Sequence, residues 1–262
     1  MFTIIIATHN RPELLQRTLL SLAAQTYQNF TTIIISDSAS YVAPYHGLKA
    51  LPENYLYLLR NSSPGPALSR NLGIKLVETD YAIFLDDDDT LEANHLELLA
   101  SSIEKYKNNS KTIYYCDFKI IEEDRTSSPP KRLKETPINI SNIQRESVFV
   151  KNIIPNSCLL YPKKVLQSNQ FDPTLILFED WDYLLSCLKQ TRLHYLPINS
   201  VCIHKSYVAG KDNIRRGNVN DEHLISTTLE IFKRHHTPNE MVRRERIEHF
   251  KNIGIQLQPE HY

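Results

Sequence analysis

Over the first 107 residues the apolar positions fall into two alternating patterns. Residues 3–8, 32–35, 55–59 and 81–85 are short runs of β-branched, aromatic or leucine side chains that empty into polar stretches, which predicts four strands. Between them Leu15, Leu19, Leu22 and Ala23, then Leu68, Leu72 and Leu76, then Leu96, Leu99, Ala100 and Ile103 recur at helical spacing. His9-Asn10-Arg11-Pro12 supplies a turn, with Asn10 as cap and Pro12 opening the first helix. Strands alternating with helices predict a parallel sheet wound in βαβ units.

After about residue 108 the pattern becomes mixed. Residues 112–121 predict a longer strand, 122–136 an exposed, charged, proline-containing loop, and 148–161 one or two short strands. A helix over 181–190 follows, then two strands near 193–196 and 200–204. From Asp221 onward Leu224, Ile225, Leu229 and Phe232 predict a helix, followed by basic residues 233–236 and a charged tail. The expected division is 1–107, a first half; 108–210, a second; and 211–262, a C-terminal helical extension.

The chain has 262 residues, 41% of them apolar, enough for one sizeable core. Its formal net charge of +0 gives no global field toward nucleic acid or a membrane, so partner binding must be local. Cys116, Cys158, Cys187 and Cys202 are widely spaced among apolar neighbours and read as reduced core thiols. The first residues lack the basic region and cleavage site of a signal peptide, and no apolar stretch approaches the ~20 residues of a membrane span. The expectation is a cytoplasmic protein.

The chemistry concentrates where residues 81–85 run into Asp86-Asp87-Asp88-Asp89. Like charges this close repel and call for a cation, and ligands of open parallel sheets bind at the carboxyl ends of strands. An EF-hand calcium loop would use Asp86, Asp88 and Glu97 but needs glycine where Leu91 stands. A nucleotide triphosphatase needs a phosphate loop that none of the six glycines begins. Asp86-x-Asp88-x-Thr90 also resembles the nucleophile loop of haloacid dehalogenase-type phosphatases, in which Asp86 attacks phosphorus and Asp88 is acid and base. That loop usually opens its chain, whereas here two βα units precede it.

Residues 4–12 (IIIATHNRP), 33–37 (IIISD), 69–74 (SRNLGI) and 84–89 (FLDDDD) come in the order and spacing of family 2 inverting glycosyltransferases with the GT-A fold. Residues 157–161 (SCLLY) with Phe171-Asp172, then 178–182 (FEDWD), then 201–204 (VCIH), resemble the family's later motifs. The resemblance covers roughly the first 210 residues. It implies an α/β protein: a Rossmann-like, mostly parallel central sheet flanked by helices, a first half that binds the nucleotide-sugar, and a smaller mixed acceptor-side half.

The resemblance also assigns roles. Asp88 binds Mn²⁺ or Mg²⁺ directly, Asp86 reaches the ribose or a metal-bound water, and His204 is a third ligand, the alternative being a buried hydrogen-bonded histidine. Asp37, the second residue of a usual aspartate pair whose first position is Ser36 here, reads the uracil edge or else is a turn residue. Thr8, Asn10 and Asp87 line the nucleotide pocket, with Arg70 supporting the diphosphate unless it is a surface arginine. Asp89 contacts the sugar or caps the next helix. Asp180 is the general base, or the cap of its helix; Glu179 positions the acceptor, and Asp182 is helix surface, as are most remaining histidines, the His235-His236 pair included.

The implied activity is metal-dependent, inverting transfer of one sugar from a nucleotide-diphosphate donor, UDP-linked by preference. The acceptor is a glycan or lipid-linked oligosaccharide of polysaccharide, lipopolysaccharide or capsule synthesis. No Q-x-x-R-W motif marks a processive polymerase. The mixed charge of residues 233–251 leaves peripheral attachment to the inner membrane face open. A non-catalytic nucleotide-sugar-binding protein is the further alternative.

Overall fold

The structure is a computed structural model that describes residues 2–38, 42–105, 110–206, 221–252 and 254–257. Its first half alternates as the periodicity predicts: β1 (Phe2–Thr8), α1 (Pro12–Ala23), β2 (Phe30–Ser36), a short α2 (Tyr45–Ala50), β3 (Tyr55–Leu59), α3 (Pro66–Lys75) and β4 (Tyr81–Phe84). β1 pairs in parallel with β2 and β4, and β2 with β3, so Ile5 stands between Ile33 and Phe84. β1 is buried along nearly its whole length, as a central strand covered on both faces must be.

The leucine stripe of α3 misidentifies its inner face. Ala67, Ser69, Arg70, Gly73 and Ile74 are the buried residues, whereas Leu76 is 36% exposed. Gly73 lets the helix approach the sheet, since a Cβ there would lie 2.5 Å from Cγ2 of Ile5.

β5 (Thr90–Leu91) and α4 (His95–Glu104) complete the first half. The second half begins with β6 (Thr112–Asp124) and β7 (Lys131–Ile138), which pair antiparallel, so much of the expected loop 122–136 is a hairpin. β7 is largely exposed and shows no apolar alternation, which hid it from periodicity. Two 3₁₀ turns (Arg145–Phe149 and Asn156–Cys158) precede β8 (Leu159–Pro162), a single strand within 148–161. After α5 (Lys163–Gln167) and α6 (Glu179–Leu188), one continuous β9 (Arg192–Ser206) replaces the two expected strands. Its register against β6 shifts between Cys116 and Phe118, a bulge that accommodates Pro197, which has no N–H to give the ladder.

The sheet order is β3-β2-β1-β4-β8-β6-β9-β5, with β7 on β6. It is parallel through β4 and mixed beyond, because β8 joins both β4 and β6 antiparallel. The C-terminal helices α7 (Asp221–Arg234) and α8 (Glu240–Lys251) bury Ile231, Phe232, Val242 and Phe250. Cys116, Cys158 and Cys187 are buried and all four cysteines are free thiols.

Gly73→Val forces a branched side chain into Ile5 and should cost about 1–3 kcal/mol, the usual range for overpacking. Urea unfolding followed by circular dichroism measures it; an unchanged midpoint would show that α3 can retreat from the sheet freely.

Candidate active site

The four aspartates alternate in direction. Asp87 and Asp89 are turned inward, 1% and 3% exposed, while the side chains of Asp86 and Asp88 keep 42% and 19% of their surface. The inner pair is fully engaged. Thr8 Oγ1 donates to Asp87 Oδ2 at 2.7 Å, and Arg11 Nη2 lies 2.7 Å from Asp87 Oδ1. Ser157 Oγ donates to Asp89 Oδ2 at 2.7 Å and accepts the Asp86 N–H at 3.2 Å, and the His204 N–H reaches Asp89 Oδ1 at 3.1 Å. Burial, more than anything else, raises Asp87 to about 6 and Asp89 well above the carboxylate range. Asp87 is thus bonded into the loop's support, and Asp89 caps no helix, since α4 starts after Asn94.

Arginines balance the outer pair. Arg125 Nη1 and Arg11 Nη1 approach Asp88 Oδ2 at 3.1 and 3.4 Å, and Arg17 Nη2 donates to the Asp88 carbonyl at 2.7 Å. Arg70 is buried rather than superficial. Its Nη2 donates to Asp86 Oδ1 at 2.9 Å, its Nη1 to Glu179 Oε1 at 2.5 Å, and its guanidinium lies 5.4 Å from the Phe171 ring. Burial alone would lower its pKa, but Glu179 and Asp86 outweigh that and keep it charged. Arg70 thereby ties the acidic loop to α6.

On α6, Phe178 is the N-cap in left-handed conformation (φ 57°), so Asp180, second in the helix, is not the cap. Its Oδ1 accepts the Trp181 N–H at 2.8 Å and Asn152 Nδ2 at 3.3 Å. Burial first, then the neighbouring Glu179 charge, raises the Asp180 pKa. Asp180 is close enough to Asp86 for its charge to raise Asp86 as well, after burial and Asp88.

Asp37, at the end of β2, is 4% exposed. His9 Nδ1 meets its Oδ1 at 2.7 Å, and Arg60 Nη2 and the Gly65 N–H meet its Oδ2 at 3.1 and 2.6 Å. Beside it is a cleft lined by Thr8, Asn10, Arg11, Ser36, Ser38 and Tyr57, with Asn10 held at φ 54°.

His204 lies in β9 with both ring nitrogens in use: Nδ1 on Glu123 Oε2 and Nε2 on Thr90 Oγ1, each at 2.9 Å. Glu123, at the end of β6, also receives Arg17 and Arg125, each at 2.7 Å. Among the described residues no group of three or more His, Cys, Asp or Glu side chains could hold a metal ion.

Two sequence expectations are overturned nearby. Asp182 is 6% and His235 2% exposed, and His235 Nε2 meets Asp182 Oδ1 at 2.8 Å. Both looked superficial because their partner lies 53 residues away. Arg11, Arg17, Arg60, Arg125 and Ser157 escaped the site reading altogether. Arg11 sits inside the His9–Pro12 motif and Ser157 opens the 157–161 motif, the signals available, but an arginine or serine in such a segment looks like a solvated residue.

The glycosyl transferase family 2 profile matches residues 3–169. The chain belongs to that family. Among family relatives, succinoglycan biosynthesis protein ExoW of Rhizobium meliloti is 26% identical over 199 residues, covering 71% of this chain and 62% of ExoW. An uncharacterized glycosyltransferase of Haemophilus influenzae is 25% identical over 235 residues, 88% and 77% of the two chains. The amylovoran biosynthesis glycosyltransferase AmsB of Erwinia amylovora is 26% identical, covering 74% and 65%. Crystal structures of S. aureus TarS 1–349 superpose with TM-scores of 0.64 (complex with UDP) and 0.63 (complex with UDP-GlcNAc). They are 15% and 16% identical, cover 97% and 96% of this chain and 72% and 80% of theirs, and establish the GT-A fold. Family 2 membership sets aside the phosphatase reading of Asp86 and Asp88.

Burial pushes Glu123 up, but bonds from His204 and Arg17 outweigh it and hold the carboxyl at about 2. A folded pKa below the unfolded value of 4.5 contributes stability present above 4.5 and lost as pH falls toward 2. Glu123→Gln should therefore destabilise at pH 6 by on the order of 3 kcal/mol, the deficit shrinking below pH 4.5. Urea midpoints of both proteins across pH 3–6 test this; a pH-independent deficit would assign the loss to packing.

Proposed function

We propose that this family 2 protein transfers one sugar, with inversion, from a UDP-sugar to a hydroxyl of a glycan or lipid-linked oligosaccharide. The observation that carries the reading is the outward pair Asp86 and Asp88 facing, across the Arg70–Glu179 bridge, a partly buried Asp180 of raised pKa. The succinoglycan and amylovoran relatives support a surface-polysaccharide acceptor, and the UDP and UDP-GlcNAc complexes of TarS support the donor class. Among the described residues no helix is long and apolar enough to cross a membrane.

The donor set fits a hard divalent cation, Mn²⁺ or Mg²⁺. Asp86 and Asp88 offer carboxylate oxygens whose mutual repulsion a cation relieves, and such ions commonly take one or two carboxylates and complete their shell with phosphate oxygens and water. His204 joins the set only if Thr90 gives up Nε2. When bound, the ion acts as a Lewis acid that neutralises charge developing on the diphosphate.

The chain's own groups supply the rest. Asp180 takes the proton from the acceptor hydroxyl, and its partial burial beside Phe178 and Trp181 makes it a stronger base. Glu179, held by Arg70, positions the acceptor, and Arg70 adds fixed positive charge near the diphosphate. Asp37 is assigned to the base, with Thr8 and Asn10 nearby; the cleft that these two line has only about 10 Å³, so the base lies over it and not within it.

A metal-site residue and a base fail differently. Calorimetric titration should show UDP binding more tightly with Mn²⁺ than with chelator, and Asp88→Asn should abolish that enhancement. Indifference of the native protein to metal would sink the metal-dependent reading. Asp180→Asn should leave UDP and metal binding nearly intact while transfer falls by ~10²–10⁴-fold, the scale of lost general base catalysis. Near-normal transfer by this variant would falsify the base assignment.

A further inference from the structure

The helix that carries Asp180 is held by the C-terminal helices through a buried polar chain. Asp182 stands in the first turn of α6, its N–H bonded to the Phe178 carbonyl at 2.9 Å. His235, directly after α7, gives Asp182 its Nε2–H at 2.8 Å, while its Nδ1 is buried with no partner. A buried nitrogen left bare costs about 1–3 kcal/mol, so the ring is held for the Asp182 bond and not for its own satisfaction. Arg246, 0% exposed on α8, fixes the histidine in turn: its Nη2 donates to the His235 carbonyl at 2.8 Å and its Nε to the Phe149 carbonyl at 3.0 Å, with the guanidinium 3.9 Å from the Phe232 ring. Arg234 Nη1 reaches Asp172 at 2.5 Å and comes within 3.8 Å of Asp182. Trp181, between Asp180 and Asp182, donates to the Val148 carbonyl at 2.7 Å and packs edge-on to Phe232.

From this we infer that His235 is a positioning residue: through Asp182 it sets the first turn of α6, and with it Asp180 and Glu179, against Arg70 and the acidic loop. The role rests on the reading of Asp180 as the base. It is confined to the acceptor side, since His235 and Arg246 touch neither the cleft beside Asp37 nor Asp88. A misplacement of about 1 Å at a reacting group can cost up to ~10²-fold in rate.

The test uses the full chain with a working acceptor. His235→Ala should lower kcat by about 10–100-fold with UDP affinity unchanged. His235→Gln, whose amide nitrogen reaches as far as Nε2, should restore most of kcat, whereas the shorter His235→Asn should not. In an Asp180→Asn background His235→Ala should cost nothing further, because both act on one step. Native kcat in His235→Ala, a glutamine no better than asparagine, or a full additional loss on top of Asp180→Asn would each overturn the positioning role. If the alanine protein does not fold, the glutamine and asparagine variants, with unfolding midpoints recorded, carry the comparison. Normal transfer by Asp180→Asn alone overturns the base assignment whatever His235 does; a crippled Asp180→Asn beside an unaffected His235→Ala overturns only the positioning role.

Discussion

Four adjacent carboxylates cannot all face one environment. Collected on the protein side they would share a desolvation cost that no nearby set of donors could offset, and collected on the solvent side they would leave the loop without an anchor. The alternation of Asp86 and Asp88 outward with Asp87 and Asp89 inward resolves the conflict. It also dictates what must surround the loop. A hydroxyl from β1 (Thr8), one from α1 (Thr18, between the carbonyls of Asp87 and Asp89) and one from the second half (Ser157) all exist to hold the inner residues, and arginines from three places meet the outer charge. The sheet, the β6–β7 hairpin and α1 can be understood as the frame that brings those groups to one strand end.

Much of this frame was visible in the order of residues. The β-branched runs of β1 and β2 and the alternating tyrosines and leucines of β3 are strands whose local preference agrees with their tertiary role, so their bounds were found within two residues. Asp86, Asp88 and Asp180 were also visible, because short motifs in fixed order survive as chain pattern. What stayed hidden was decided by distant contacts. α3 turns its small face, not its leucines, to the sheet because Ile5 allows only a hydrogen at position 73. β9 looked like two strands because Pro197 interrupts its donors without ending its direction. Asp182, His235 and Arg246 are ordinary polar residues in one dimension and a buried chain of contacts in three.

The bridge Arg70–Glu179 is one of several ion pairs that join the two halves, beside Arg17–Glu123 and Arg125–Asp88. Arg70 comes from a helix that packs on β1 and β2, whereas Glu179 opens the helix bearing the proposed base, so a single guanidinium senses a carboxylate of each half. Its charge is kept by those partners against its own burial. This makes the separation of Asp86 from Asp180 a matter of ion pairing as much as of backbone geometry.

β5 is two residues long, yet it binds the two halves into one unit. Thr90 and Leu91 belong to the first half but find their ladder partners, Cys202 and Val201, on the last strand of the sheet, and Asp89 beside them depends on Ser157 and on the His204 N–H. Residues 1–107 cut out at their sequence boundary would leave Thr90 and Leu91 without ladder partners and Asp89 without its Ser157 and His204 bonds, so the two halves are not separable units. Within this architecture any change at the site comes by substitution in place, around an acidic loop that both halves already hold.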